Sequence, residues 1–165
     1  MAVPKEHNHH YCESIIRLPF WFQARHKNNY ISERSLTRKE MGLPEHGFVF
    51  CSFNNNYKLS PKEFEIWMRL LNKVKHSVLW IYKSNKWVEN NLIKEASKRG
   101  VSKDRLVFAE QVQHDVHLER LKLADLFVDT FNVTAGATAG DALWSGLPLV
   151  TKLGKSQHAR GLGFI

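Results

Sequence analysis

The stretch Asp129-Thr-Phe-Asn-Val-Thr-Ala-Gly-Ala-Thr-Ala-Gly-Asp-Ala-Leu-Trp-Ser-Gly-Leu-Pro148 decides the fold. It follows the apolar run Leu126-Phe-Val and reads as the end of a buried strand, a turn of small residues, a helix start and a glycine stop. Ala135-Gly-Ala-Thr-Ala-Gly140 has almost no side-chain bulk, so a ligand could approach its backbone closely. Thr138 and Asp141 have capping-box spacing, hydroxyl first and acid three residues later, which predicts a helix N-terminus there. The N–H groups and dipole of such a start suit an anion, typically a phosphate. A tight strand-to-helix turn with an ordinary cap accounts for the same residues, and both readings stand on this pattern.

Outward from this stretch the chain alternates. Upstream, Phe48-Val-Phe-Cys-Ser-Phe53 is a continuous apolar run, as expected of a strand buried on both faces. After the polar loop Asn54–Lys58, Ser60, Pro61 and Glu63 predict a second capping box with proline in the first turn. Phe64, Trp67, Leu71 and Val74 then mark one apolar helix stripe. Ser77–Tyr82 is the next strand, followed by a helix from about Trp87 that ends at Lys98, Arg99 and Gly100. Arg105–Ala109, a helix over His114–Leu123, Leu126–Asp129, a helix over Thr138–Ser145 and Leu149–Thr151 complete the series. Strands alternating with helices of about ten residues imply right-handed crossovers and a parallel sheet of α/β class. Ligands of such sheets sit at the carboxyl ends of the strands. The loops Asn54–Lys58, Lys83–Lys86, Glu110–His114 and Phe131–Ala137 should therefore converge on one crevice.

Residues 1–44 read differently, as an extended segment ahead of a domain over 45–165. His7-Asn8-His9-His10 matches no usual zinc spacing and reads as a polar, frayed N-terminus. Ile15–Phe22 is apolar and aromatic with Pro19 inside, which suits an extended or surface-docking piece, packed on this domain or on another. The chain stops at Ile165 with no helix over the last strand, which predicts a piece of something longer.

At 165 residues the chain has room for one domain that buries roughly 70% of its unfolded surface. The 43% hydrophobic content excludes a disordered chain, and no apolar run reaches the roughly 20 residues of a membrane span. Cys12 and Cys51 make no disulfide framework, which suits a reducing, cytoplasmic setting. The net charge of +8 would suit nucleic acid, a membrane surface or a phosphorylated small molecule. Because the basic residues are scattered and no nucleic-acid motif accompanies them, a solvated surface with one anionic ligand is favoured. The phosphate loop, the dinucleotide fingerprint, the nucleophile elbow and the H-E-x-x-H pair are all missing, which removes support for kinase, dehydrogenase, hydrolase and metalloprotease readings.

Five positions carry candidate chemistry. Lys58, between a strand and a helix start, could face a phosphate or lie solvated at the surface. Asn55 could donate to a phosphate oxygen or bond its own turn. His114 and His117, three apart at a helix start, share a face; metal ligation, contact with a ligand ring and partial burial are all open, although no third metal ligand is evident. Asp141 could close the capping box or accept from sugar hydroxyls.

Several of these strings in their order resemble a known family: Phe48–Lys58, Ser77–Trp80, Arg105–Phe108, Leu123–Thr130 and Asp141–Pro148. They are similar to the C-terminal catalytic lobe of the O-linked N-acetylglucosamine transferases, the SPINDLY-like enzymes of glycosyltransferase family 41, especially the bacterial branch. The resemblance covers roughly residues 11–165. It implies a GT-B fold, whose C-terminal Rossmann-like lobe holds a UDP-sugar, and an inverting, metal-independent transfer of N-acetylglucosamine to Ser or Thr of an acceptor protein. It also implies an N-terminal lobe and tetratricopeptide repeats outside this chain, and neither nucleic acid nor membrane as partner. By position, Lys58 resembles the lysine that neutralises the UDP leaving group, and Asn55 stands where glutamine is frequent. His117 resembles the histidine of the uridine pocket, His114 a position that is lysine in some relatives, and Arg120 a nearby basic residue. Gly136, Ala137 and Thr138 resemble the helix start that meets the diphosphate, and Asp141 the acid that holds the ribose.

Gly136 and Ala137 depart from the family, where His-Thr is frequent, so two side-chain donors are absent and Thr138 is the hydroxyl that remains. The expectation is a UDP-sugar-binding lobe that binds without turning over by itself. The alternative is a degenerate Rossmann-like module that binds a nucleotide or a partner and has lost transfer.

Overall fold

A computed structural model of the chain describes residues 3–17 and 28–162. Five parallel strands form one sheet: β1 (Val49–Ser52), β2 (Val78–Tyr82), β3 (Leu106–Ala109), β4 (Leu126–Val128) and β5 (Leu149–Val150). Their order is β3-β2-β1-β4-β5. Register runs Cys51 to Trp80 on one side of β1 and Cys51 to Phe127 on the other. Helices α1 (Pro61–Lys73), α2 (Lys86–Ser97), α3 (His114–Leu121), α4 (Ala137–Trp144) and α5 (Gln157–Arg160) alternate with or follow the strands.

Alternation along β1 sends side chains into two separate cores. Phe50 meets Phe64, Trp67, Met68 and Leu71 of α1 together with Ala96 of α2. Val49 and Cys51 meet Leu118 and Leu121 of α3 together with Ala139 and Ala142 of α4. Both faces are thus covered, which is why the strands read as continuous apolar runs and not as alternating ones. After β3 the chain returns across the sheet to β4, on the far side of β1. The carboxyl ends of β1 and β4 consequently flank the point where the winding reverses, the place where sheets of this kind hold ligands.

The predicted elements are present, with one structural change at two helix starts. Neither capping box forms. The Ser60 hydroxyl donates to the Glu63 carboxylate and caps no backbone N–H. Glu63, fully buried, takes the Phe131 N–H at 2.7 Å and so ties α1 to the loop after β4. At α4 the helix begins one residue earlier than expected, with Gly136 as its cap, so Thr138 lies inside the first turn. Its hydroxyl bonds Asn54 across the sheet.

Two glycines are required by the backbone. Gly146 ends α4 with φ of 79°, and Gly47, with φ of 114°, enters β1 where a Cβ would collide with the His76 carbonyl. Cys51 is fully buried and burial pushes its thiol pKa up, whereas Cys12 is exposed; both are free.

The segment 28–44 has several anchors on the sheet domain. Arg38 donates to the carbonyls of Leu123 (3.2 Å) and Gly47 (2.9 Å) and pairs with Asp125 at 2.9 Å. Leu43 joins the core on the α3 side. Lys5–His10 forms a short 3-10 helix where the sequence suggested fraying. Residues 18–22 of the apolar run Ile15–Phe22 lie outside the described residues. Among the described residues no helix is long and apolar enough to cross a membrane.

Candidate functional site

At the carboxyl ends of β1, β3 and β4 lies an open cleft of about 1210 Å³. Asn55 and Lys58 reach it from the loop after β1, His114, His117 and Arg120 from α3, and Gly136, Ala137, Thr138 and Asp141 from α4 and its approach. All nine residues singled out in the sequence thus border one space. The loop after β2 does not join them. Ser84 and Asn85 instead line a second cavity of about 560 Å³ between α1 and α2, with Leu59, Phe64, Val88 and Leu92. The reason is the face of the sheet on which each loop turns: the loop after β2 leads into α2, which packs with α1, whereas the loop after β3 leads into α3 on the opposite face.

Lys58 closes a short 3-10 turn, Asn56–Lys58, and its Nζ donates to the Thr134 carbonyl at 3.4 Å. The ammonium therefore spans the gap between the loops after β1 and β4. The first N–H groups of α4 have no acceptor within the helix, and its dipole places partial positive charge at the same spot. Together these supply a cation and backbone donors at one end of the cleft.

The other end is built by α3. Arg120 is buried, with its guanidinium 4.7 Å above the Phe53 ring, and Nη1 donates to the Glu110 carbonyl at 2.7 Å. Its Nε donates to His117 Nδ1 at 3.0 Å. A ring nitrogen that accepts carries no proton, so His117 is neutral and its N–H is at Nε2. Burial, reinforced by the Arg120 charge, pushes the His117 pKa down to about 4. Burial likewise lowers Arg120, to about 10. Arg120 thus borders the cleft and also holds His117, whose ring meets Phe53 edge-on at 5.1 Å between centroids. A neutral N–H donor beside an aromatic edge suits the carbonyl of a heterocycle.

Between the two ends, His114 Nε2 approaches Asp141 Oδ1 at 3.3 Å. The Asp141 carboxylate, released from the expected cap, faces α3 and the cleft. Among the described residues no three His, Cys, Asp or Glu side chains gather as metal ligands.

Two residues that sequence reasoning passed over organise the wall. Asn54 is buried, and its Nδ2 donates to Asp129 Oδ1 (2.8 Å) and Thr130 Oγ1 (3.0 Å) while its Oδ1 accepts from Thr138. Asp129 also takes the N–H groups of Thr130 and Ala135 and the Thr151 hydroxyl. Burial nevertheless raises the Asp129 pKa. The apolar run ending in a carboxylate at Asp129 was the available signal; nothing distinguished Asn54 from its two neighbouring asparagines.

Comparison with known proteins bears on the family and the fold. The chain is 30% identical over 153 residues to a probable UDP-N-acetylglucosamine–peptide N-acetylglucosaminyltransferase, SEC, of Arabidopsis thaliana, covering 90% of this chain and 16% of that protein. It is 34% identical over 115 residues to the Caenorhabditis elegans UDP-N-acetylglucosamine–peptide N-acetylglucosaminyltransferase, covering 70% of this chain and 10% of that one. The chain therefore spans under a fifth of these relatives. Its fold superposes on a Thermobaculum terrenum O-GlcNAc transferase mutant with a TM-score of 0.82 at 20% identity, over 99% of this chain and 31% of that one. That match identifies the architecture as the C-terminal lobe of a GT-B glycosyltransferase. The family model described as glycosyl transferase family 41 matches residues 25–161. The chain belongs to glycosyl transferase family 41.

Proposed function

We propose that this chain is the UDP-sugar-binding lobe of an inverting protein O-GlcNAc transferase, which moves N-acetylglucosamine from UDP to Ser or Thr of an acceptor protein. The observation that carries the reading is the convergence of Lys58, the start of α4, His117 and Asp141 on one cleft at the reversal point of a family 41 chain. In this reading His117 Nε2–H meets a carbonyl of the uracil ring, Asp141 accepts from the ribose hydroxyls, and the diphosphate lies against Lys58 and the first turn of α4. Asn55, His114, Gly136 and Ala137 border the same ligand.

The acceptor hydroxyl attacks the anomeric carbon from the face opposite UDP, the glycosidic C–O bond to the phosphate breaks, and negative charge develops on the departing diphosphate. Lys58 and the α4 dipole stabilise that charge electrostatically, the part a divalent cation plays in other transferases, so the lobe works without metal. The group that takes the acceptor proton and the acceptor site belong to an N-terminal lobe and to tetratricopeptide repeats. This lobe by itself binds and does not turn over.

Calorimetric titration of UDP into the chain in the presence of EDTA tests this. Saturable binding is expected, and Lys58→Ala should weaken it by about 10- to 100-fold, the loss of one charge-assisted contact. A well-folded chain that does not bind UDP, or a variant that binds equally well, would overturn the reading. The second reading, a degenerate binding module, is favoured by Gly136 and Ala137, which bring no side-chain donors to the helix start. It predicts UDP binding without transfer even in the full-length protein.

A further inference from the structure

We propose that Asn54, held by the buried carboxylate of Asp129, is a positioning residue of the anion site: it takes the Thr138 hydroxyl proton and so fixes the first turn of α4, leaving backbone N–H groups and Lys58 as the donors to the diphosphate. The inference rests on the UDP reading given above and assigns a role to two residues that lie outside it.

Asp129 is 1% exposed. Its Oδ1 accepts from the N–H groups of Thr130 (2.8 Å) and Ala135 (2.9 Å), and its Oδ2 accepts from the Thr151 hydroxyl (2.6 Å). An ionised carboxylate only accepts, so the Asn54 atom that faces it at 2.8 Å is the amide nitrogen. The second Asn54 proton goes to Thr130 Oγ1, whose own proton is given to the Val133 carbonyl at 2.7 Å. A flipped amide would lose both bonds and set its oxygen against the carboxylate. The orientation is therefore determined, and Oδ1 points at Thr138.

Thr138 Oγ1 lies 2.8 Å from that oxygen. An amide oxygen cannot donate, so the single hydroxyl proton of Thr138 lies on the line to Asn54. The hydroxyl then has only lone pairs for the cleft and cannot donate to a phosphate. With Gly136 and Ala137 on either side of the helix start, the side-chain donors there fall to none, and the anion meets main-chain N–H groups. What Thr138 contributes is location: it ties the α4 start on one face of the sheet to the loop after β1, which also carries Lys58. The two sources of positive potential are thereby held at a set separation.

A double-mutant cycle reads this directly. Affinities for UDP and for uridine are measured by calorimetry on the unsubstituted chain, Thr138→Val, Thr138→Ser, Asn54→Ser and the Asn54→Ser/Thr138→Val double variant. Thr138→Val and Asn54→Ser are each expected to weaken UDP by about tenfold, the double variant no more than either, and uridine by less than about twofold throughout. Thr138→Ser, which keeps the hydroxyl, should stay within about twofold for UDP. Additive losses would mean that Thr138 donates to the phosphate independently, and parallel losses for uridine would mean a merely structural role; either overturns the proposal.

Should the Asn54→Ser variants fail to fold, the Asn54 side-chain amide signals in the NMR spectrum of the unsubstituted chain decide. They should move in Thr138→Val and hold still as UDP is added. Movement on UDP addition as large as in Thr138→Val would overturn the proposal. Failure of the unsubstituted chain to bind UDP overturns the reading beneath it as well, whereas UDP binding with additive losses overturns this inference only.

Discussion

Burial, reinforced by the charge of Arg120, pushes the His117 pKa down to about 4. The sign of the consequence follows from linkage. In the unfolded chain histidine takes a proton near pH 6.5, whereas the folded protein refuses it until about pH 4. The unfolded state therefore binds the extra proton between those values, and stability falls as pH drops from about 6.5 toward 4. The loss is on the order of 3 kcal/mol. Denaturant melts of the chain and of His117→Gln at pH 7 and pH 4.5 should show the gap between them shift in favour of the glutamine variant at the lower pH. A gap that does not change with pH would remove the neutral imidazole from the account. Lys58, Asp141 and both histidines could be singled out in the sequence because their strings match a family pattern and fall close to the loops between elements. Asn54 and Asp129 could not be paired, because their contact joins residues that follow two different strands and leaves no spacing to read.

At the scale of elements, each of the five strands falls within the range read from its apolar run. Runs buried on both faces have little ambiguity once glycines, prolines and polar loops bound them. The helix starts were less legible. Spacing alone does not say where an acid will turn, and the buried Glu63 found the N–H of Phe131, which no local pattern announces. Convergence of loops is legible only in part, since the face of the sheet on which a crossover helix packs decides which loops share a cleft, and no single segment states that face. Glycine positions give a graded test of the element joints. Gly146→Ala faces open space and should cost about 1 kcal/mol from the left-handed backbone alone. Gly47→Ala adds a collision with the His76 carbonyl and should cost about 3 kcal/mol or more. Thermal melts of the two variants should keep that order; equal losses would mean that the β1 entrance is softer than its geometry implies.

At the scale of the whole molecule, two independent cores share one sheet, and the cleft belongs to the α3–α4 side together with the loop after β1. The candidate binding residues therefore concentrate on one half of the domain. The relatives matched are several times longer than this chain.

The placement of the two thiols gives the chain its own internal reporter. Cys12 is open to solvent, and Cys51 sits in the central strand with both faces covered. A maleimide dye should modify one sulfur in the native protein and two after denaturation, with the second reaction timed by global opening of the sheet. Each substitution described above can be graded by that second rate, so that loss of ligand binding is separated from loss of the fold in a single tube.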